Sequence, residues 1–236
     1  MVKGLVSIVV PTHGYRNLEK LKNSVESSLY QNFELIIVNR NQERSIQRNY
    51  GIDQSQGEFL LWLDSDQAIS PFLLTECVSM MQKGYDALYV PEIIVANSFF
   101  GRVRAFERTF YTGTAIDCVR FLRLSICPRF DLGLHGPEDS DFDRRVKGKR
   151  GITHNVLYHH DDISIHSYFL KKAYYADSLK AYSIKNPKDK CLNAYYRCIG
   201  VFLENRKWIS LLRHPILSFC VVLIIVIRGF IYVFKR

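Results

Sequence analysis

The sequence predicts an α/β protein built on a mostly parallel sheet. Three observations point there. Short runs of β-branched and large apolar residues (5–10, 33–38, 58–63 and 85–90) alternate with stretches whose apolar side chains recur at helical spacing. The third run exits directly into Asp64-Ser65-Asp66, as a strand feeding a ligand site does. With 47% hydrophobic and 23% charged residues over 236 positions, the chain has enough apolar side chain for a buried core and is not a disordered polymer.

Residues 5–10 (LVSIVV), closed by Pro11, read as a buried parallel strand. Leu18, Leu21, Val25 and Leu29 make one face of a helix over 18–29. A second buried strand follows at 33–38 (FELIIV), then a helix over 44–52 that ends near Gly57, then the third strand at 58–63 (EFLLWL). Pro71 suits the first turn of the next helix, and 85–90 is the fourth strand. Residues 101–124, rich in arginine and aromatics, read as helical. A Gly136-Pro137 turn leads into a helix over 138–146, with acids in its first turn and arginines later, as the helix dipole favours. Residues 152–158 are a strand candidate, 164–184 and 192–204 amphipathic helices dense in tyrosine and lysine, and 215–234 an apolar run interrupted by Arg228.

The net charge of +9 is unevenly placed: residues 1–146 carry 16 basic and 18 acidic side chains, residues 147–236 carry 16 and 5. A basic end closing on an apolar run suits a membrane surface. No arginine-rich arm interleaved with aromatics suggests nucleic acid as a partner. The six cysteines are scattered without zinc or disulfide spacing, which fits a reduced cytosolic setting. The first residues enter a strand at once, so a cleaved leader is not expected.

Three constellations carry chemistry. Asp64 and Asp66 at a strand exit form a hard oxygen site suited to Mg²⁺ or Mn²⁺ on a diphosphate, or else a solvated turn in which Asp66 caps the next helix. Glu138-Asp139-Ser140-Asp141 with Arg144 and Arg145 is either a set of dipole partners or a site in which Asp139 is a general base tuned by its neighbours. His159-His160-Asp161-Asp162 follows a strand and either completes a metal site or sits on the surface.

These segments together resemble the inverting family-2 glycosyltransferases of the GT-A fold. The resemblance runs through VSIVVPTHGYRNLEKLKNSVESSLYQNFELIIVNR, RSIQRNYGIDQSQGEFLLWLDSD and RFDLGLHGPEDSDFDRRV, and covers residues 5–180. It implies a GT-A fold with amphipathic and apolar C-terminal helices. It also implies a metal-dependent transfer, with inversion, from a UDP- or GDP-sugar. By the same resemblance Pro11 and Thr12 border the base pocket, and Arg48 and Asn49 sit near the donor diphosphate. Asp64 lies toward the donor sugar and ribose, and Asp66 binds Mn²⁺ or Mg²⁺, with Asp64, His159 or His160 as further ligands. Asp139 is the catalytic base, Glu138 and Asp141 its neighbours, and Arg145 the arginine one turn on. The sequence departs from the family where Asn39-Arg40 replaces the usual acidic pair, Asn39 remaining in the donor set. It departs again at Pro128-Arg129 before Phe130, and at Ser140.

The implied organisation is a catalytic domain over 1–163, a helical extension over 164–209 and a membrane-associated or transmembrane segment over 210–236. The acceptor expected of such an end is lipid-linked: a polyprenyl (dolichyl-type) phosphate or a lipid-linked glycan. Residues 216–227 are uncharged but short of the roughly 20 residues a bilayer crossing needs. Extending the run brings in Arg228, which would have to snorkel toward its nearer end. Arg206, Lys207, Trp208 and Arg213 would meet head groups and keep the catalytic domain on the cytoplasmic face of the cell membrane. Two rival readings are a catalytically silent nucleotide-sugar-binding or scaffold subunit and a sugar-phosphate nucleotidyltransferase. The latter would want a glycine-rich, lysine-bearing loop that PTHGYRN lacks.

Overall fold

A computed structural model describes residues 1–14, 18–161 and 163–234. Tyr15, Arg16, Asn17 and Asp162, which belong to quoted motifs, lie outside the described residues. The chain folds through β1 (Val2–Pro11), α1 (Leu18–Glu26), β2 (Phe33–Val38), α2 (Arg44–Gln54) and β3 (Gly57–Trp62). Then come β4 (Gln67–Ile69), α3 (Leu73–Gln82), β5 (Ala87–Tyr89), β6 (Glu92–Val95), α4 (Phe99–Arg108) and β7 (Phe121–Arg123). They are followed by α5 (Glu138–Arg145), β8 (Arg150–Ile152), β9 (Leu157–His160) and α6 (Ile165–Lys185). Short helices α7 (Val201–Leu203) and α8 (Trp208–Arg213) precede α9 (Pro215–Phe234).

The fold class expected from the sequence is borne out. A central sheet is ordered β2-β1-β3-β7-β5-β8, with β1 parallel to both β2 and β3 and β8 parallel to β5. β1 and β3 are legible because they are covered on both faces, with Val6, Ile8, Val9, Leu60, Leu61 and Trp62 all fully buried, while β2 is a half-exposed edge strand. Gly51 lets α2 lie directly on β1, since a Cβ there would overlap the Val9 side chain. That close approach sets Arg48, one turn earlier, beneath the strand exits.

Three readings need correction. The helix expected over 101–124 ends at Arg108, and Phe121–Arg123 is instead β7, antiparallel to both β3 and β5. Its buried Phe121 and Leu122 belong to two different core clusters, one on each side of the sheet. The single strand expected over 152–158 is two strands in two sheets: β8 closes the main sheet, while β9 joins a small sheet ordered β4-β9-β6. The helix expected over 192–204 forms over residues 194–203 but is wound as a π-helix at Tyr196–Gly200, and Asn205 and Arg206, at φ of 52° and 61°, close it in a conformation that ends a right-handed helix.

α9 has the expected bounds. Val221 and Ile224 join a cluster with Val103 of α4 and Tyr168 of α6, with Leu217, Cys220 and Ile225 packed against it. Arg228 does not snorkel. Its guanidinium pairs with buried Glu107 of α4 and donates to the Tyr168 hydroxyl at 3.2 Å.

Lys172 of α6 lies near this cluster. Burial and then Arg228 push its amine down to about 7 against an opposing pull from Glu107, with Arg197 and Arg104 adding lesser pushes in the same direction as burial. A lysine depressed in the fold binds fewer protons than in the unfolded chain between about 7 and its ordinary value near 10.5, so its charge costs stability below that window and the cost fades as pH rises through it. Lys172→Met is therefore expected to raise the urea midpoint at pH 6, with the gain shrinking toward pH 10.

Candidate active site

The C-terminal ends of β1 and β3 open into a cleft of about 650 Å³. Pro11, Thr12, Asp64, Ser65 and Asp66 line it from the strand ends, and Arg44, Glu138 and His159 line it from α2, α5 and β9. α6 contributes Lys171, Tyr174 and Tyr175. The cleft sits where open α/β sheets bind ligands, beyond the carboxyl edge of the strands.

Beneath it runs a ladder of alternating charges. Asp66 Oδ2 lies 3.2 Å from His159 Nε2, and His159 Nδ1 lies 2.7 Å from Glu92 Oε1. Glu92 Oε2 reaches Arg120 Nη2 at 3.5 Å, and Arg120 Nη1 faces Asp64 Oδ2 at 3.6 Å. Asp64 Oδ1 accepts from Arg48 Nη2 at 2.6 Å, and Arg48 Nη1 donates to Asp139 Oδ1 at 2.8 Å. The Trp62 ring lies 4.3 Å from the Arg48 guanidinium and 3.9 Å from that of Arg120. The residues expected to be metal ligand and base thus stand at the two ends of one network.

The electrostatics follow from the pairing. Burial raises the Asp64 carboxyl, but Arg48, Arg120 and Arg44 together overcome it and hold the group well below the usual carboxylate range. Glu92 is likewise held low against its burial by Arg108, His159 and Arg120. For His159, burial opposes the proton, and the hydrogen bonds to Asp66 and Glu92 outweigh it, lifting the ring to about 10.

Within the ladder Arg48 Nε, Asp66 Oδ1 and Arg120 Nη1 are buried without a hydrogen-bond partner. Unsatisfied buried groups are rare, and of these three only Asp66 belongs to the cleft lining, where a ligand could supply the missing partner. No group of three or more Cys, His, Asp or Glu side chains placed to hold a metal occurs among the described residues. Asp66 Oδ1 fits a hard divalent ion whose other ligands come from substrate phosphate and water, while His159, protonated between Asp66 and Glu92, would ligate only after giving up its Nε2 proton. Glu92 orients that histidine as a carboxylate partner does in metal sites.

The acids of α5 divide sharply. Glu138 is 2% exposed at its side chain and accepts from Arg44 and from the Gly136 N–H. Asp141, 1% exposed, is tied by Arg145 and by Lys185 at 2.7 Å. Asp139, at 30%, is the one of the three whose carboxylate reaches solvent, and it lies just outside the cleft lining, which Glu138 joins. Arg145 is committed to Asp141 and does not line the cleft. Asn49 spends its amide on the backbone of Phe130, at 2.9 and 2.7 Å, which fixes the loop before α5 and places Asn49 outside the cleft lining. Asn39 stands exposed after β2, also outside that lining. Strand alternation turns His159 toward Asp66, while His160 gives Asp66 its backbone N–H at 2.9 Å.

Arg44, Glu92, Arg120 and the three α6 side chains were not singled out from the sequence. Glu92 opens the short strand β6 and Arg120 immediately precedes the short strand β7, and only the folded sheets define where those strands lie. Because Arg48 is fully buried between two carboxylates, Arg48→Met is expected to cost about 3 kcal/mol, the lower end for a broken buried pair since Asp64 and Asp139 keep some solvent contact. Urea denaturation would measure it.

Residues 39–131 match the profile of the family described as Glycosyl transferase family 2. Among solved structures, the chain is similar to S. aureus TarS, with a TM-score of 0.55 at 14% identity over 87% of this chain and 45% of that one. It is similar to TarS 1–349 at 0.53 and 15% identity, over 87% and 78% of the two chains. Against TarS 1–349 in complex with UDP-GlcNAc the values are 0.51 and 15%, over 74% and 66%. The chain thus spans less than half of the longer TarS chain. No curated protein matches it in sequence. At these identities the structural likeness shows the fold.

Proposed function

From the Glycosyl transferase family 2 match over residues 39–131 and the GT-A-like fold, we propose that the chain is a metal-dependent inverting glycosyltransferase using a UDP- or GDP-sugar and a membrane-linked acceptor. The observation that carries this reading is the charge ladder under the cleft, which couples an aspartate with an unpartnered buried oxygen to a second, solvent-reaching aspartate. The UDP-GlcNAc complex of TarS supports a nucleotide-sugar donor.

In this reading Pro11 and Thr12 border the nucleotide base. Asp64, kept ionised by Arg48 and Arg120, receives donor sugar hydroxyls. Asp66, with His159 once that ring releases its Nε2 proton, would hold Mn²⁺ or Mg²⁺, which when bound would offset the charge growing on the departing diphosphate. Asp139 takes the proton of an acceptor hydroxyl as its oxygen bonds to the anomeric carbon, on the face opposite the leaving group. The bond to the nucleotide diphosphate breaks in the same displacement, so configuration inverts and no second carboxylate acts as nucleophile. Arg48 positions both aspartates and does not itself meet the proton.

The acceptor reading, a polyprenyl phosphate or lipid-linked glycan, draws on α9 and on the basic character of residues 147–236. The same features support a catalytic domain at the cytoplasmic face of the cell membrane, with 1–163, 164–209 and 210–236 as its catalytic, linking and membrane-associated parts. A screen of nucleotide sugars with Mn²⁺ and a membrane extract, read by nucleotide release, tests the proposal. Release from one donor, suppressed by EDTA, is expected. No release from any donor would favour the silent scaffold.

A further inference from the structure

α9 is apolar on every side but only partly covered. Its window Pro215–Tyr232 has a mean hydropathy of 2.3, with 11% of the residues buried. Leu217, Cys220, Val221, Ile224 and Ile225 face the cluster that α4 and α6 share. Arg228 continues that line into its pair with Glu107. The docked positions therefore extend over about three turns, most of the helix. The opposite face bares Ile216, Phe219, Leu223, Val226, Phe230 and Phe234, spaced by three and four residues into one continuous stripe.

An upright helix is surrounded by lipid or by other spans along its length. This one has the α/β domain against one side for three turns. Turning it across a bilayer would take Arg104, Lys172 and the Glu107–Arg228 pair into hydrocarbon with it, or strip α9 from its packing and leave Glu107 buried without its cation. Resting on that membrane-associated reading of the enzyme, we propose that α9 does not cross the bilayer but lies in the plane of one leaflet of an anionic membrane, stripe downward.

The occupant follows from charge. Arg102, Arg213 and His214 gather beside Phe99 and Ile216 where α9 begins, and exposed Arg206 and Trp208 stand just before it. An apolar stripe rimmed by cations matches acyl chains under phosphate head groups. A second copy pressed against the same face would bring like charges together at the rim.

Flotation of the full chain with sealed vesicles of phosphatidylglycerol and phosphatidylcholine, against phosphatidylcholine alone, tests the attachment. Binding to the anionic vesicles is expected, weakened about tenfold or more by Phe219→Glu with Phe230→Glu, both exposed and so compatible with folding. Arg102→Gln with Arg213→Gln should reduce binding to the level seen with neutral vesicles. Orientation is read separately, in a Cys198→Ser background, from a fluorophore placed at Ile216→Cys or Phe234→Cys and exposed to a membrane-impermeant reductant outside the vesicles. Bleaching at both ends is expected. Protection of one end with flotation intact overturns the in-plane placement and leaves the membrane-associated enzyme standing. Failure to float, with dimers in sedimentation, overturns both.

Discussion

Asp139→Asn is expected to lower sugar transfer to a hydroxyl acceptor by roughly 10²–10⁴-fold while donor binding changes little. The substitution keeps the shape and an oxygen that can still accept from Arg48 Nη1, so Arg48 remains bridged to Asp64 and the ladder survives. The lost ion pair is partly exposed and contributes about 1 kcal/mol or less, so the fold should hold. Nucleotide release measures the rate and calorimetry the donor affinity. A near-normal rate on a hydroxyl acceptor would move the base to Glu138, which lines the cleft though held by Arg44 and Gly136, or to Asp141, which Arg145 and Lys185 hold. A phosphate acceptor arrives already ionised and needs no base. A variant slow on hydroxyls yet active on a polyprenyl phosphate would therefore name the acceptor class.

The second large effect is at Asp66. Asp66→Asn should abolish the strengthening of UDP-sugar binding by Mn²⁺, because it removes the charge of the one carboxylate in the ladder with a buried, unpartnered oxygen. Its side chain is 39% exposed, so thermal stability should move little. Calorimetry with Mn²⁺ and with EDTA decides: wild-type affinity should fall on chelation, while the variant's should be low in both. Equal wild-type affinity in the two conditions would remove the metal from the mechanism.

How much of this was legible varies with what each residue touches. β1 and β3 announce themselves because both faces of their central residues are covered, and β2 because its run is mostly apolar although it is a half-exposed edge strand. β4, β6 and β7 have three or four residues each, too few for a period, and exist because partners distant in sequence hydrogen-bond to them. Arg48 was found through its motif, but its role as a bridge was not, since Asp64 and Asp139 meet it from separate elements. Arg228 shows the same limit. In the sequence it is a charge breaking an apolar run, and its natural expectation is to reach for water. The fold offers it Glu107 instead.

By itself, then, the sequence determined the alternation of strands and helices, the strand exit that ends in two aspartates, the acidic start of α5 and the apolar helix from Pro215 to Phe234. All of these are local, set by side-chain periodicity and by which residues tolerate a strand end or helix start. Only the tertiary structure decided which of three neighbouring acids reaches solvent, that His159 and not His160 turns to Asp66, and that α9 lies against the domain with its charge turned inward. Those outcomes depend on desolvation and on pairing between groups far apart in the chain, and a charge in a sequence has no partner until the fold supplies one.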